Sequence, residues 1–183
     1  MTNTHPLSRA KWIGARPECQ SPVLIRRFNA GDVSDATLYV TGLGYFEARI
    51  NGMAVTEDRF LPLVTDYEPR DLSKFIYPLS DHTTHRIYYS RFDVTGLIHE
   101  GENILTVQLG NGWYRQTERV AEGATSFGDV LKTIFSLQMT PPTGRSASIP
   151  TAPKPGKAAR FSTISSLSVK WWIPPRPSAL NKV

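Results

Sequence analysis

One cysteine, Cys19, stands in 183 residues, so no internal disulfide framework is available. No apolar run approaches the length needed to cross a bilayer, which removes a membrane-spanning role from the expectations. Met1 to Gln20 lacks the apolar core of a secretory signal, and the expected compartment is the cytoplasm. There is no convincing amphipathic helix longer than a few turns. Gly-x-Ser-x-Gly is missing, Cys19 has no His/Asn frame, and no glycine loop is built to cradle phosphate. Nucleophilic acyl transfer and nucleotide chemistry therefore have no sequence support.

Acidic residues are also missing from one part of the chain. Residues 1–140 hold 14 Lys+Arg and all 16 acids, net −2, whereas residues 141–183 hold 7 Lys+Arg and no acid, net +7. The overall charge of +5 thus comes from the tail. Its cations are scattered singly among prolines, without the clustered footprint that nucleic acid requires. No nucleic-acid partner is expected.

What is present is short segments of period two, the mark of half-buried strands. Ala36 to Thr41 is rich in β-formers. Phe46, Ala48 and Ile50 share one face, with Tyr45, Glu47 and Arg49 on the other. Asn51-Gly52 follows, a strong hairpin signal because both residues tolerate positive φ, and Met53 to Val55 would return. Arg86 to Phe92 reads as a strand. Leu105, Val107 and Leu109 alternate within 103–109, as do Leu131, Thr133, Phe135, Leu137 and Met139 within 130–139. Between them, Asp93 and Thr95 can cap a single turn, and Gly101 can reverse the chain. Short strands divided by Gly, Asn, Asp and Pro predict an all-β, antiparallel β-sandwich of jelly-roll, galactose-binding-like type.

The candidate site is aromatic. Tyr45, Tyr67, Trp113 and Tyr114 lie at strand ends beside glycine or charge. Ring faces can stack on the apolar face of a pyranose while Glu47, Asp66, Asn111 and Arg115 take its hydroxyls. The competing reading makes these rings core plugs or part of a domain interface, since large aromatics are usually buried. Carboxylate pairs such as Glu57-Asp58, Asp66 with Glu68, and Glu100 with Glu102 suit solvated loops better than the opposed acids of glycoside cleavage. His82 and His85 have no converging third ligand. No metal, no cofactor and no catalytic residue is expected.

Several segments in fixed order carry a family likeness. They are Ala10-Lys11-Trp12-Ile13-Gly14, Val40-Thr41-Gly42-Leu43-Gly44-Tyr45-Phe46-Glu47, Ile50-Asn51-Gly52, Thr65-Asp66-Tyr67, Phe92-Asp93-Val94-Thr95, Gly101-Glu102-Asn103 and Leu109-Gly110-Asn111-Gly112-Trp113-Tyr114-Arg115. The set resembles the N-terminal β-sandwich domain of bacterial α-L-rhamnosidases (glycoside hydrolase family 78), over residues 10–139. Sandwiches of the β-galactosidase type share the Asn-Gly and Asp-Val-Thr features but not the Gly-Asn-Gly-Trp-Tyr ending. The stretch 70–86 departs from the pattern as a loop insertion. The resemblance implies a non-catalytic supporting or substrate-recognising domain of an inverting glycosidase. Its acids would stand on a separate α/α-barrel lying further on, and its partners would be rhamnose-containing glycans. Without that barrel the chain would be a truncated piece. A free-standing carbohydrate-binding module is the other function considered.

The resemblance also bears on the tail. The family sandwich continues past Met139 with an Asp-Gly turn, a Trp strand and a Gly-Glu-x-x-Asp ending. Residues 140–183 show none of these, with eight of the 14 prolines and ten Ser/Thr in 141–183. Reading one base early, the codons of Trp171-Trp172-Ile173 force Val then Asp, and those before them permit the expected ending. The expectation is a frame shifted near Thr140, a poorly ordered basic tail over 140–183, and a sandwich incomplete at its C-terminal end. The nucleotide sequence tests this directly: stop codons in the shifted frame exclude it.

Overall fold

The computed structural model describes residues 5–63, 67–68, 71, 85–116, 126–142 and 147–150. Among these residues nine strands fall in chain order: β1 (Ile13–Gly14), β2 (Val23–Ala30), β3 (Asp35–Leu43), β4 (Tyr45–Ile50), β5 (Met53–Ala54), β6 (Ser90–Asp93), β7 (Gly101–Gly110), β8 (Lys132–Thr140) and β9 (Ala147–Pro150). One sheet runs β1-β8-β3-β6 with β9 also on β8; the other runs β2-β7-β4-β5. Every pairing is antiparallel. The two sheets form the sandwich that the alternation predicts.

The inward sets of β4, β7 and β8 are those read from period two, and β3 adds its own. Ala36, Leu38 and Val40 of β3 and Phe135, Leu137 and Met139 of β8 meet Phe46, Ala48 and Ile50 of β4 and Leu105, Val107 and Leu109 of β7. Burial of these apolar side chains drives the two sheets together. At the edge strand β2, Leu24 and Phe28 are buried and Arg26 stands between them, opposite Leu105. An inward charge on an edge strand hinders pairing with another chain.

Turn chemistry follows the sequence closely. Asn51 and Gly52 sit at φ 52° and 84°, joining β4 to β5. Thr95 N–H and hydroxyl both donate to Asp93 Oδ1, at 3.0 and 2.7 Å, at the start of a 3-10 turn over Thr95–Leu97. These two bonds, with Arg91 nearby, hold the Asp93 carboxyl below its ordinary pKa. Its contribution to stability is present above the unfolded carboxyl pKa and fades as pH falls through the lowered one.

Three differences from the sequence reading stand out. The strand expected over 86–92 begins only at Ser90, and before it the Tyr88 carbonyl is taken by a side chain instead of a strand partner. There Thr41 Oγ1 donates to the Tyr88 carbonyl at 2.6 Å, and Tyr89 stacks against His5 and Tyr39. β2, which pairs with β7 over eight residues, has a mixed apolar and charged pattern that gave no alternation to read.

The third difference concerns β8. Its outer edge is covered by β1 at Lys132 and Thr133 and by β9 at Ser136 to Met139, with Ile149 packed on the core. A four-residue strand ending in proline carries too little period to be seen in sequence. The β9 pairing lies seven residues past Thr140, in the frame as written.

Candidate functional site

Tyr45 and the turn from Asn111 to Arg115 lie at one end of the β4–β7 sheet, where Tyr45 pairs with Gly110. Alternation along β4 turns Tyr45, Glu47 and Arg49 away from the core. Phe46 pairs with Leu109 of β7 on one side and bridges Leu61 on the other, so residues 59–61 run beside β4. The Phe46 N–H donates to the Leu61 carbonyl at 2.6 Å and fixes that approach. As a result the Phe60 ring stands 5.4 Å from the Tyr45 ring, edge to face.

On the other side of Tyr45, the turn after β7 folds back. A Cβ at Gly112 would lie 3.2 Å from Tyr45 Cγ and Cδ2, and Gly112 sits at φ +49°. Only glycine gives both the backbone angle and the clearance there. Trp113 follows Gly112 on this turn. Trp113 is 51% exposed and Phe60 71% exposed. Tyr45 and Phe60 form an open ring pair, and Trp113 stands exposed on the turn that packs against Tyr45.

Charged groups adjoin the ring pair. Arg59 Nη1 donates to Glu47 Oε1 at 3.0 Å, and Arg49 Nη2 lies 3.8 Å from Glu47 Oε2. All three side chains stay in contact with solvent, so these pairs add little to stability. They do fix a carboxylate and a guanidinium beside the rings.

The other candidates separate from these rings. Tyr67 and Tyr114 pack edge to face at 5.1 Å, and Tyr67 also meets Phe127 at 5.2 Å. Tyr114 reaches the core cluster, its carbonyl accepts from Phe127 N–H at 2.8 Å, and its hydroxyl lies against Gly128. Burial, with Tyr67 and Asp129 nearby, pushes the Tyr114 phenol above its ordinary pKa. Tyr114 thus packs against the core, with Tyr67 on its edge. Arg115 Nη1 donates to the Cys19 carbonyl at 2.9 Å and ties the turn to the N-terminal segment. Asn111 Oδ1 is buried, with no hydrogen-bond partner among the described residues, and is not offered to solvent. Asp66 lies outside the described residues, as does His82 and most of 70–86.

Phe60 is the ring the sequence reading missed. It follows Arg59 in a polar loop without periodicity, and only the Leu61 bridge brings it to Tyr45. Glu102 of the Glu100/Glu102 pair binds Arg27 at 2.8 Å on the surface, so that pair is no opposed acid couple. Among the described residues, no group of three His, Cys, Asp or Glu is arranged to hold a metal ion. No described helix is long and apolar enough to cross a membrane.

The chain is similar to several α-L-rhamnosidases. An α-L-rhamnosidase of Formosa agariphila is 29% identical over 155 residues, covering 77% of this chain and 15% of its own length. An α-L-rhamnosidase of Streptomyces avermitilis is 35% identical over 82 residues, 45% of this chain and 6% of that protein. In three dimensions, the α-L-rhamnosidase of Aspergillus terreus superposes with a TM-score of 0.63 at 26% identity, over 79% of this chain and 16% of that one. The Streptomyces avermitilis α-L-rhamnosidase complexed with L-rhamnose gives 0.59 at 28% identity, over 73% and 12%. The chain therefore spans a small part of the length of these relatives. The α-L-rhamnosidase N-terminal domain model matches residues 31–158, continuing 18 residues past Thr140 in the frame as written. That match covers more than half of the 183 residues, and the chain belongs to the α-L-rhamnosidase N-terminal domain family.

Proposed function

We propose that this chain is a non-catalytic, carbohydrate-associated domain serving the hydrolysis of terminal α-L-rhamnosides. The reaction itself would be carried by a catalytic domain of the α-L-rhamnosidase kind. The family membership supports the parent reaction. The described acids support the non-catalytic role. Glu47 is paired with Arg59 and Glu102 with Arg27 at the surface, so neither belongs to an opposed pair of free carboxyls.

The single observation behind carbohydrate contact is the exposed Phe60 ring packed on Tyr45 beside the Glu47–Arg59 pair, with exposed Trp113 on the adjoining turn. A pyranose has apolar C–H faces and a rim of hydroxyls. Exposed rings with a carboxylate and a guanidinium at their side match both. The interior of a protein–protein contact is instead depleted of charge. The same exposed rings also support the second reading, a free-standing carbohydrate-binding module.

Calorimetric titration of the chain with rhamnosides checks this. Wild type is expected to bind weakly, with Kd near ~1 mM, and Trp113→Ala to weaken binding about tenfold, the effect of losing ~1.4 kcal/mol. Hydrolysis of an aryl rhamnoside by the chain alone would overturn the non-catalytic role. Equal binding by wild type and Trp113→Ala would remove Trp113 from it.

A further inference from the structure

Asn-Gly occurs twice in the chain, at Asn51-Gly52 and at Asn111-Gly112. Glycine has no side chain to shield its amide nitrogen. That nitrogen can attack the carboxamide carbon of the asparagine before it, provided the carboxamide is free to swing over the intervening peptide. The dipeptide is the same at both places, so the surrounding fold decides whether the chemistry runs.

The two carboxamides are held very differently. Asn51 Nδ2 donates to the Leu97 carbonyl at 2.9 Å and to Asn103 Oδ1 at 2.8 Å, and Asn51 Oδ1 accepts from Ile104 N–H at 2.9 Å. These partners stand on the 3-10 turn and on β7, so both ends of the amide are tied to elements outside its own hairpin. Asn111 Oδ1 is buried with no hydrogen-bond partner, and among the described residues no hydrogen bond holds its Nδ2. No bond has to break before the Asn111 carboxamide turns toward Gly112. Asn111 and Gly112 are each only half-buried, so water and base reach the turn.

We propose that Asn111-Gly112 is a site of spontaneous modification, in which Asn111 closes to a succinimide and opens to aspartate or isoaspartate, while the Asn51 network protects the other pair. Base takes the Gly112 amide proton. The Gly112 nitrogen bonds to Asn111 Cγ as the Cγ–Nδ2 bond breaks, and Nδ2 takes up a proton from water and leaves as ammonia. Water then opens the ring at either carbonyl, and no atom is oxidised or reduced. Both products disturb the turn. Aspartate puts a negative charge where Asn111 Oδ1 is buried without a donor. Isoaspartate routes the main chain through Cβ and Cγ. The carbonyl that accepts Arg115 N–H at 3.1 Å then leaves the main chain, beside the glycine packed on Tyr45.

The test incubates the full chain at mildly alkaline pH, native and in denaturant. Mass spectrometry and isoaspartate-specific methylation quantify conversion in the peptide holding each pair. In denaturant the two pairs convert at similar rates, because a glycine follows each asparagine. In the native chain Asn111 converts at least about tenfold faster than Asn51, the effect expected of the hydrogen bonds that only Asn51 must break. Equal native rates overturn the proposal, and so does native protection of both pairs. Asn111→Asp, which stands for one product, melts about 4 °C or more below wild type. An unchanged melting temperature overturns the disturbance of the turn.

Discussion

Gly44→Ala is expected to lower stability by about 3–5 kcal/mol and the melting temperature by roughly 10 °C. Two independent costs meet at this residue. Its φ is +96°, where an L side chain is strained, and a Cβ would collide with the Gly110 carbonyl oxygen. The Asn111 carbonyl at 2.9 Å and Leu131 Cδ2 at 3.2 Å close off the remaining directions. Backbone oxygens cannot rotate away as a side chain can, so the β3–β4 turn must separate from the end of β7. Gly52→Ala is the matched control. It shares a positive φ of 84°, but nothing lies within 4 Å of its Cβ position, so only about 1 kcal/mol is at stake. Chemical denaturation of both variants checks the difference. Equal effects would show that the packing at Gly110 contributes nothing.

Asn103→Ala should cost nearly as much, about 3–4 kcal/mol, because four polar groups lose their partner in a dry site. Asn103 is 0% exposed. Its Nδ2 donates to the His99 carbonyl at 2.7 Å and the Gly101 carbonyl at 3.0 Å. Its Oδ1 accepts from His99 N–H at 3.1 Å and from Asn51 Nδ2 at 2.8 Å. Asn51 in turn donates to the Leu97 carbonyl and accepts from Ile104 N–H, both at 2.9 Å. One amide thereby locks the β4–β5 hairpin to the connector entering β7. Asn103→Asp keeps the shape but loses both donors and buries a charge against two carbonyls, so it should be no milder. Asn51→Gly keeps the positive φ and removes only the amide. A double-mutant cycle between 51 and 103 should show coupling above about 0.5 kcal/mol, whereas simple additivity would deny the link.

These two sites explain which parts of the molecule were legible in the sequence. Gly44 and Asn103 lie in segments that carried the family resemblance, and both are fixed by backbone chemistry that few residues can supply. Strands with one buried face, such as β4 and β7, announce themselves through Phe46, Ala48, Ile50, Leu105, Val107 and Leu109. β2 and β9 do not. Arg26 and Arg27 interrupt the first, and the second has four residues. At the site, Tyr45 and Trp113 were readable beside their glycines, whereas Phe60 depends on a bridge between residues 15 apart. Tyr67, Tyr114 and Arg115 looked alike in sequence to Tyr45 and Trp113. Only packing separates the rings against Phe127 and the guanidinium on Cys19 from rings open to solvent.

The central claim, exposed rings that meet sugar at the Tyr45–Gly110 end of the sandwich, has one direct measurement. The chain contains four tryptophans, Trp12, Trp113, Trp171 and Trp172, each with one indole N–H signal in a nitrogen-proton correlation spectrum. Titrating a rhamnoside should shift the Trp113 indole and the amides around Phe60 and Gly112, and leave Trp12 in place. Saturating sugar that leaves the Trp113 signal unmoved, or that moves Trp12 in its stead, would contradict the account.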